Sequence, residues 1–156
     1  MELRQATMED TKGIAIVMKQ SYRIDSISEA ESVFKEEMEK HHHFVVAASG
    51  YEIIGFASWT VRDLPKHQLA ELNRIAVHKD YREKNIGEGL FYFLLQDTKR
   101  YYQERGHKLR KMFVMTHASN HVARMFYQKV GFKLEATLKD HYYKGEDECI
   151  YSMFFD

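Results

Sequence analysis

Residues 69–100 read LAELNRIAVHKDYREKNIGEGLFYFLLQDTKR, and this stretch decides the fold. Its first part, Leu69 to Val77, predicts a long β-strand. A polar turn with two glycines follows at residues 81–89. A helix comes next, because apolar side chains recur at helical spacing and Gly106 suits the left-handed position after a helix; the recurring positions are Ile86, Leu90, Leu94 and Tyr101. The stretch therefore predicts a strand, a glycine-bearing turn and a long helix.

Shorter patterns on both sides extend this unit into a mixed α/β (α+β) sheet of about seven strands flanked by about four helices. The first helix begins at a capping-box-like Thr7-Met8-Glu9-Asp10, and the second lies in the polar segment 23–40, which we expect to be mobile or substrate-facing. Asn120 and Gly131 bracket the last helix. The other predicted strands cover residues 3–6, 44–48, 53–59, 111–117, 132–138 and 148–154.

The composition limits the class of protein. A chain of 156 residues with 44% hydrophobic and 29% charged residues predicts one folded domain over residues 1–156, not a disordered chain or a fibre. Lys and Arg (23) balance Asp and Glu (23), so no overall basic field attracts nucleic acid or an anionic membrane. The start of the chain does not resemble a signal peptide, and Cys149 is the only cysteine, which together favour a cytoplasmic protein.

The turn at residues 81–89 has the features of a phosphate site. A helix N-terminus carries unpaired N–H groups and partial positive charge, the glycines allow close approach, and Arg82 and Lys84 add charge. The turn lacks the Gly-Lys-Ser/Thr of a P-loop and the three glycines of a dinucleotide fingerprint, which excludes an ATPase or an NAD enzyme. A turn that needs glycine only for its geometry remains the alternative interpretation.

The same turn resembles a known family motif. Arg82-x-x-Asn85-x-Gly87 is similar to the acyl-CoA pyrophosphate loop, Gln/Arg-x-x-Gly-x-Gly/Ala, of the GNAT (Gcn5-related) N-acetyltransferases. The segment from Asn120 to Phe132 resembles the second family signature, and Leu3 to Asp10 resembles the family's opening. The chain departs from the motif at Asn85, which stands where the first loop glycine is usual. Asparagine tolerates positive φ better than most residues with a side chain.

This resemblance implies a sheet splayed between the strands at 69–77 and 111–117, with acetyl-CoA as cosubstrate. Backbone groups near Ile75 and Val77 would hold the pantetheine arm, and an N–H there would stabilise the oxyanion. Asn120 would touch the cosubstrate, although a helix N-cap is an equally good role for it. The residues implied in cosubstrate binding are Ile75, Ala76, Val77, Arg82, Glu83, Lys84, Asn85, Ile86, Gly87, Glu88, Asn120 and Phe126.

The chemistry of amide formation defines two further roles. At pH 7 a lysine-like amine must lose a proton at a cost of about 4.6 kcal/mol, and an α-amine at about 1 kcal/mol. Glu71 lies where several family members carry a catalytic glutamate, so we predict it as the general base, with a solvated charge as the alternative. Tyr127 matches the family's general acid, which protonates the CoA thiolate; packing of the helix on the sheet is its alternative role.

The acceptor is less well defined. Trp59, Tyr22 and Tyr142 could form an aromatic wall for a small amine, such as a polyamine or amino compound, which is the predicted substrate. The Tyr142-Tyr143 region also resembles ribosomal-protein and other N-terminal acetyltransferases, but Met115 replaces the glutamate or histidine that these often carry. A protein N-terminal (ribosomal-protein alanine-type) acetyltransferase and a non-catalytic acyl-CoA binding domain therefore remain alternatives, and a homodimer is allowed.

Other reactive side chains give weaker signals. His41-His42-His43 are consecutive, so they cannot all face one metal site on a strand, and we predict no metal. His117 could relay a proton, although a histidine at a strand end is more often structural. Cys149 is expected to be a small buried thiol rather than a nucleophile.

Overall fold

The computed structural model of the protein describes residues 1–82 and 84–156. The predicted order of elements is confirmed. The strands are β1 (Glu2–Gln5), β2 (His43–Ser49), β3 (Glu52–Val61), β4 (Leu69–Val77), β5 (Lys111–His117), β6 (Lys133–Tyr143) and β7 (Glu146–Phe154). The α-helices are α1 (Thr11–Ser21), α2 (Ile27–Glu39), α3 (Ile86–Glu104) and α4 (His121–Val130).

The strands form a mixed sheet in the order β1-β2-β3-β4-β5-β7-β6. β1 and β2, β2 and β3, β5 and β7, and β6 and β7 pair antiparallel. β4 and β5 pair in parallel, with Leu69 opposite Lys111 and Glu71 opposite Phe113. The predicted fold class, a mixed sheet of seven strands with four helices, is confirmed.

The chain divides into two compact units, which we call the first unit and the second unit. The first unit comprises Met1–Thr60 and Arg74–Thr98, and the second comprises Val61–Asn73 and Lys99–Asp156. Strand β4 and helix α3 each contribute residues to both. The prediction of one domain over residues 1–156 remains a prediction.

In the first unit, α1 and α2 pack apolar faces onto the sheet. Ile14, Met18, Phe34 and Phe56 are fully buried in one cluster, and the rings of Phe34 and Phe44 meet edge to face at 4.8 Å. Segment 23–40 contains the predicted second helix, α2, because Ser26 caps its N-terminus through the N–H of Glu29 and its apolar face is buried. A mobile or substrate-facing role for this segment stays a prediction.

Before α1, the chain makes a 3-10 turn at Met8–Asp10 and not the first turn of an α-helix. The Asp10 carboxylate accepts the N–H of Thr7 at 2.8 Å and pairs with the Arg4 guanidinium at 2.8 and 2.9 Å. Its pKa is lowered, first by the hydrogen bond from Arg4 and further by that from Thr7. The capping-box-like motif therefore joins β1 to the entry of α1.

The second unit has its own core beneath α4. Tyr151 is fully buried, and its ring centroid lies 6.3 Å from that of Tyr127. Near the end of α3, Tyr102 is fully buried, whereas the predicted Tyr101 is only partly buried. The spacing from Leu94 allows either position, and Tyr102 is selected because its hydroxyl donates to the Leu69 carbonyl at 2.7 Å.

The C-terminal hairpin is longer than predicted. β6 continues past Leu138 to Tyr143, and β7 already begins at Glu146, with Gly145 in the turn at φ +84°. Asp140 adopts φ +49° and accepts the N–H of Gly145 at 2.9 Å, so an irregularity within β6 absorbs the polar residues that suggested a loop.

Candidate active site

The turn before α3 has the conformation that its sequence demands. Asn85 adopts φ +60°, in the left-handed region that favours glycine. Its carbonyl then accepts the N–H of Gly89 at 3.2 Å as α3 begins at Ile86. The expectation that asparagine can replace glycine here is confirmed for the backbone. Glu83, also predicted to contact the cosubstrate, lies outside the described residues.

Two cationic side chains lie beside this turn. The guanidinium of Arg82 donates through Nε to the Val77 carbonyl at 3.1 Å and through Nη2 to the Ser21 hydroxyl at 3.3 Å. The ammonium of Lys84 lies 5.3 Å from the centre of the Tyr81 ring. Arg82 and Lys84 are both exposed. Their charges supplement the partial positive charge of the helix N-terminus, which suits an anion such as a diphosphate.

In the first turn of α3, no atom of the described residues packs tightly against Gly89. A Cβ added at Gly89 would meet only a Leu3 methyl, at 3.8 Å. Packing within the protein therefore does not require glycine at this position. Gly87 and Glu88 belong to the same first turn, and Ile86 anchors it with a side chain that is 6% exposed.

Strand β4 contacts α3 and β3 closely at Gly55. A Cβ there would lie 2.7 Å from a Leu90 methyl and 3.1 Å from the Ala76 carbonyl oxygen. Glycine is therefore required, because this part of β3 must let β4 and the start of α3 approach. The contact fixes Ala76, a predicted cosubstrate-binding residue, relative to the turn.

A tyrosine that sequence reasoning assigned to the aromatic wall instead binds the β4 backbone. The Tyr22 hydroxyl accepts the N–H of Ile75 at 3.1 Å and donates to the Ile75 carbonyl at 3.4 Å. Burial raises the pKa of this phenol, so it stays protonated and can make both bonds. Of the backbone groups predicted to hold pantetheine, those of Ile75 are thus engaged by Tyr22, and the Val77 carbonyl is engaged by Arg82. Only the structure reveals this contact between residues 53 positions apart.

A charged cluster holds Tyr22 in place. The Arg74 guanidinium lies 4.7 Å from the centre of the Tyr22 ring and binds the Glu37 carboxylate of α2 at 2.9 and 3.0 Å. Burial of such a cation is tolerated because it is paired with a carboxylate and stacked on an aromatic ring. The α1 end, α2 and β4 therefore form one connected polar site in the first unit.

In the second unit, Glu71 occupies a largely buried position on β4. Its side chain is 17% exposed and lies 3.5 Å from Arg62 Nη1. Burial raises the pKa of the Glu71 carboxyl, and the Arg62 charge opposes this effect. A carboxylate with a raised pKa is a better proton acceptor than an exposed one, which suits the predicted role.

Glu71 shares a sheet face with His117. Neighbours in register point to the same face, so Glu71 lies beside Phe113; Met115 and His117 follow on that face because side chains alternate along β5. His117 Nδ1 lies 2.6 Å from Glu148 Oε1 on β7. The opposite face of β5 is buried through Met112, Val114 and Thr116.

Tyr127 lies on α4 against the buried face of the second unit. It is 8% exposed, and its ring meets Phe126 and Phe132 edge to face, with centroids 5.8 and 5.9 Å apart. This packing fits its alternative role in joining α4 to the sheet and leaves the predicted acid role untested. Asn120 caps α4, because its Oδ1 accepts the Ala123 N–H at 3.1 Å.

The structure also shows where the other residues singled out in the sequence lie. Trp59 is fully buried and stacks on His43, so it cannot belong to an acceptor wall, whereas Tyr142 is 60% exposed. Cys149 is a buried free thiol, as expected.

Within residues 1–82 and 84–156, no three His, Cys, Asp or Glu side chains are grouped closely enough to hold a metal ion. None of the helices in the described part of the chain has the length and apolar character to span a membrane.

Comparison with known proteins identifies the class of protein that this fold and these motifs define. Residues 40–134 match the family model described as the acetyltransferase (GNAT) domain. The chain belongs to the GNAT acetyltransferase family. The predicted enzyme class, an N-acetyltransferase that uses acetyl-CoA, is thereby confirmed. No curated protein matches the chain.

Solved structures show the same fold over nearly the whole chain. The protein smu.2055 from Streptococcus mutans UA159 has a TM-score of 0.83 and 23% identity, covering 100% of both chains. A ribosomal-protein-alanine N-acetyltransferase from Brucella melitensis has a TM-score of 0.76 and 18% identity, and the match covers 99% of this chain and 100% of the other. An aminoglycoside 6'-N-acetyltransferase complexed with coenzyme A has a TM-score of 0.79 and 16% identity, and the match covers 99% of this chain and 97% of the other.

Proposed function

We propose that the protein transfers the acetyl group of acetyl-CoA to the primary amine of a small molecule, a polyamine or another amino compound. The observation that carries this proposal is the left-handed turn at Asn85, which leads into α3 with Arg82 and Lys84 beside it. A helix N-terminus with cationic side chains beside it supports the binding of a pyrophosphate at this turn. The single free thiol of Cys149 suits a reducing compartment, and we place the activity in the cytoplasm.

The first unit is proposed to bind the cosubstrate, which supplies an activated acetyl thioester. The turn residues and the start of α3 would bind the diphosphate, and backbone groups of Ile75, Ala76 and Val77 would bind the arm. Binding at Ile75 requires that Tyr22 release the N–H and C=O that it now engages. Asn120 and Phe126 of the second unit are the remaining proposed contacts.

The second unit is proposed to supply the side chains that accept and donate protons. Glu71 would accept a proton from the acceptor amine, because its carboxyl is largely buried and has a raised pKa. The Tyr127 hydroxyl would donate a proton to the departing thiolate, a transfer that is uphill by only about 1.5 pKa units because a thiol is somewhat more acidic than a phenol. Neither role requires a metal ion.

A protein N-terminus is the second candidate acceptor. Tyr142 and Tyr143 are 60% and 61% exposed on the long β6–β7 hairpin, where they are available to a peptide. The fold neighbours include both a ribosomal-protein-alanine acetyltransferase and an aminoglycoside acetyltransferase, so the fold itself does not select between the classes.

Thiol release in the presence of acetyl-CoA tests the proposal. The acceptor panel contains spermidine, lysine, an aminoglycoside and peptides with free and N-acetylated alanine termini, the last serving as a matched control. We expect acetylation of spermidine or another small amine, confirmed by mass. Acetylation of the free-terminus peptide alone would establish the second candidate. Thermal stabilisation by CoA without any acetylated product would overturn both and indicate a non-catalytic binding domain.

A further inference from the structure

The histidine at the end of β5 is oriented by a buried carboxylate. The Glu148 side chain is 6% exposed, whereas the His117 imidazole, 2.6 Å away through Nδ1, is 45% exposed. A carboxylate can only accept, so the hydrogen bond places the proton on Nδ1 and leaves the lone pair of the neutral ring on Nε2. A buried carboxylate that orients an exposed imidazole is an arrangement suited to proton transfer.

The surroundings of His117 contain few other charged groups. Tyr142 and Tyr143 of β6 meet the imidazole edge to face, with centroids 6.2 and 6.0 Å away. Glu148 faces it from β7, and Glu146 at the start of β7 is bound to the Ser119 hydroxyl. The imidazole therefore lies beside the aromatic rings of the hairpin, on the same sheet face as Glu71.

The proton balance of the proposed reaction calls for two acceptors. An ammonium nitrogen carries three hydrogens and the product amide nitrogen carries one, so two protons leave the acceptor while a C–N bond forms and the C–S bond breaks. One proton is returned, from Tyr127 to the thiolate. We propose that His117 Nε2 takes the first proton, which converts the ammonium into the attacking amine, and that Glu71 takes the second; this inference rests on the proposed function.

The separation of the two groups supports consecutive roles. Four residues of extended strand, from Phe113 beside Glu71 to His117, span about 13 Å. His117 lies at the strand end among exposed aromatic rings and acts on the arriving ammonium. Glu71 lies further along the face. The imidazolium then releases its proton to water, and the proton on Glu71 returns through water to the Tyr127 phenolate, so that one proton is released in each turnover.

Removal of the first proton costs the most free energy when the acceptor is a strongly basic amine. A lysine-like amine is about 3.4 pKa units from being neutral at pH 7, and an α-amine only about 0.8. Loss of His117 should therefore matter most for basic acceptors and least above the acceptor's own pKa. A histidine that only supports the hairpin would affect all acceptors and all pH values alike.

His117→Gln is the test variant, and His141→Gln is its matched control because His141 is an exposed histidine on the same hairpin. For spermidine at pH 7 we expect kcat/KM to fall about 10- to 100-fold in His117→Gln, with recovery towards the wild-type value near pH 10, and no change in His141→Gln. Equal losses at both pH values, or no loss, would overturn the inference while wild-type turnover upholds the proposed function. Absence of wild-type turnover with every amine of the panel would overturn both.

Nitrogen NMR of histidine in the protein alone gives a reading independent of activity. In the neutral ring of His117 we expect a protonated Nδ1 and a bare Nε2, with this preference lost in Glu148→Gln. The opposite tautomer would overturn the inference. If His117→Gln folds poorly, His117→Ala assayed with added imidazole decides the question: restored turnover supports proton transfer, and its failure in a folded variant contradicts it.

Discussion

The two units carry candidate functional groups of different kinds. In the first unit the important atoms belong to the backbone: the left-handed turn at Asn85, the start of α3, and the β4 peptide groups that bind Tyr22. In the second unit they belong to side chains, namely Glu71 with Arg62 and His117 with Glu148. Backbone groups suit the binding of a ligand of fixed shape, whereas titratable side chains suit proton transfer.

This difference predicts which measurements each substitution should change. Conservative side-chain changes in the second unit should lower turnover and leave acetyl-CoA affinity intact. Changes that disturb the backbone of the first unit should alter affinity and stability and leave the chemical step alone. A substitution that changed both quantities equally would contradict the division.

The largest effect is expected for Tyr127→Phe. Removing the proposed proton donor should lower kcat about 100- to 1,000-fold, within the usual range for general acid catalysis. The ring and its contacts with Phe126, Phe132 and Tyr151 remain, so Tm and acetyl-CoA affinity by calorimetry should stay within error. Tyr92→Phe, at a half-exposed tyrosine of α3, is the control. Unchanged kcat would assign Tyr127 to packing alone.

Glu71→Gln should lower kcat/KM for spermidine about 10- to 100-fold at neutral pH. It should also stabilise the fold at pH 7. The folded pKa of Glu71 is raised by burial, so its ionised form is disfavoured in the fold, and that cost appears as the pH rises above the unfolded value. The gain in Tm should therefore vanish near pH 4. A loss of stability at pH 7 would show that Glu71 is a structural residue.

Arg62→Gln tests the role of the Glu71 carboxyl by removing the positive charge beside it. The Arg62 charge lowers the pKa of Glu71, so its removal should raise that pKa further. The acid limb of the kcat/KM profile should then move to higher pH, with little change in the plateau. Because Arg62 is about half exposed, solvent screening keeps the shift small. A shift to lower pH would exclude Glu71 as the titrating group.

The first-unit turn could be predicted from sequence because its determinants are local. A strand, a polar turn with glycines and an amphipathic helix follow one another within residues 69–104, and Asn85 is among the few residues that tolerate φ +60°. The helix caps at Ser26 and Asn120 are equally local signals, since the capping side chain and its N–H are three residues apart.

The second-unit chemistry was only partly predictable, because its partners are distant in sequence. Glu148 lies 31 positions from His117, and no local pattern indicates that a buried carboxylate orients that histidine. The hydroxyl contact of Tyr22 with Ile75 spans 53 positions and was missed for the same reason. The choice of Tyr102 over Tyr101 depended on one hydrogen bond to β4, which periodicity does not reveal.

Gly55→Ala tests the backbone of the first unit. The new Cβ would overlap Leu90 and crowd the Ala76 carbonyl, which should cost about 1–3 kcal/mol of unfolding free energy. Acetyl-CoA affinity should fall as β4 and the start of α3 shift apart. Gly89→Ala is the control for stability, since its Cβ has room and alanine favours a helix. Equal stability of both variants would contradict the close approach at Gly55.

Tyr22→Phe separates the hydroxyl from the ring. The ring stays beneath Arg74, but the Ile75 N–H and C=O lose their partner, which should cost about 1–2 kcal/mol of stability. Since the same groups are proposed to bind the cosubstrate, acetyl-CoA should bind several-fold more tightly despite the lower Tm. Weaker binding by calorimetry would mean that Tyr22 assists the cosubstrate and does not compete with it.

The smallest effect is expected at Asn85. Glycine adopts φ +60° without a Cβ, so Asn85→Gly should keep the turn and let a phosphate approach more closely, raising acetyl-CoA affinity about two- to five-fold. Asn85→Ala is the matched control, because alanine pays for the left-handed conformation without an amide side chain, at about 1 kcal/mol or more. We expect affinity to rank glycine above asparagine above alanine, with kcat unchanged throughout. If asparagine binds more tightly than glycine, its side-chain amide contacts the ligand, and the first unit then uses a side chain where the motif uses backbone alone.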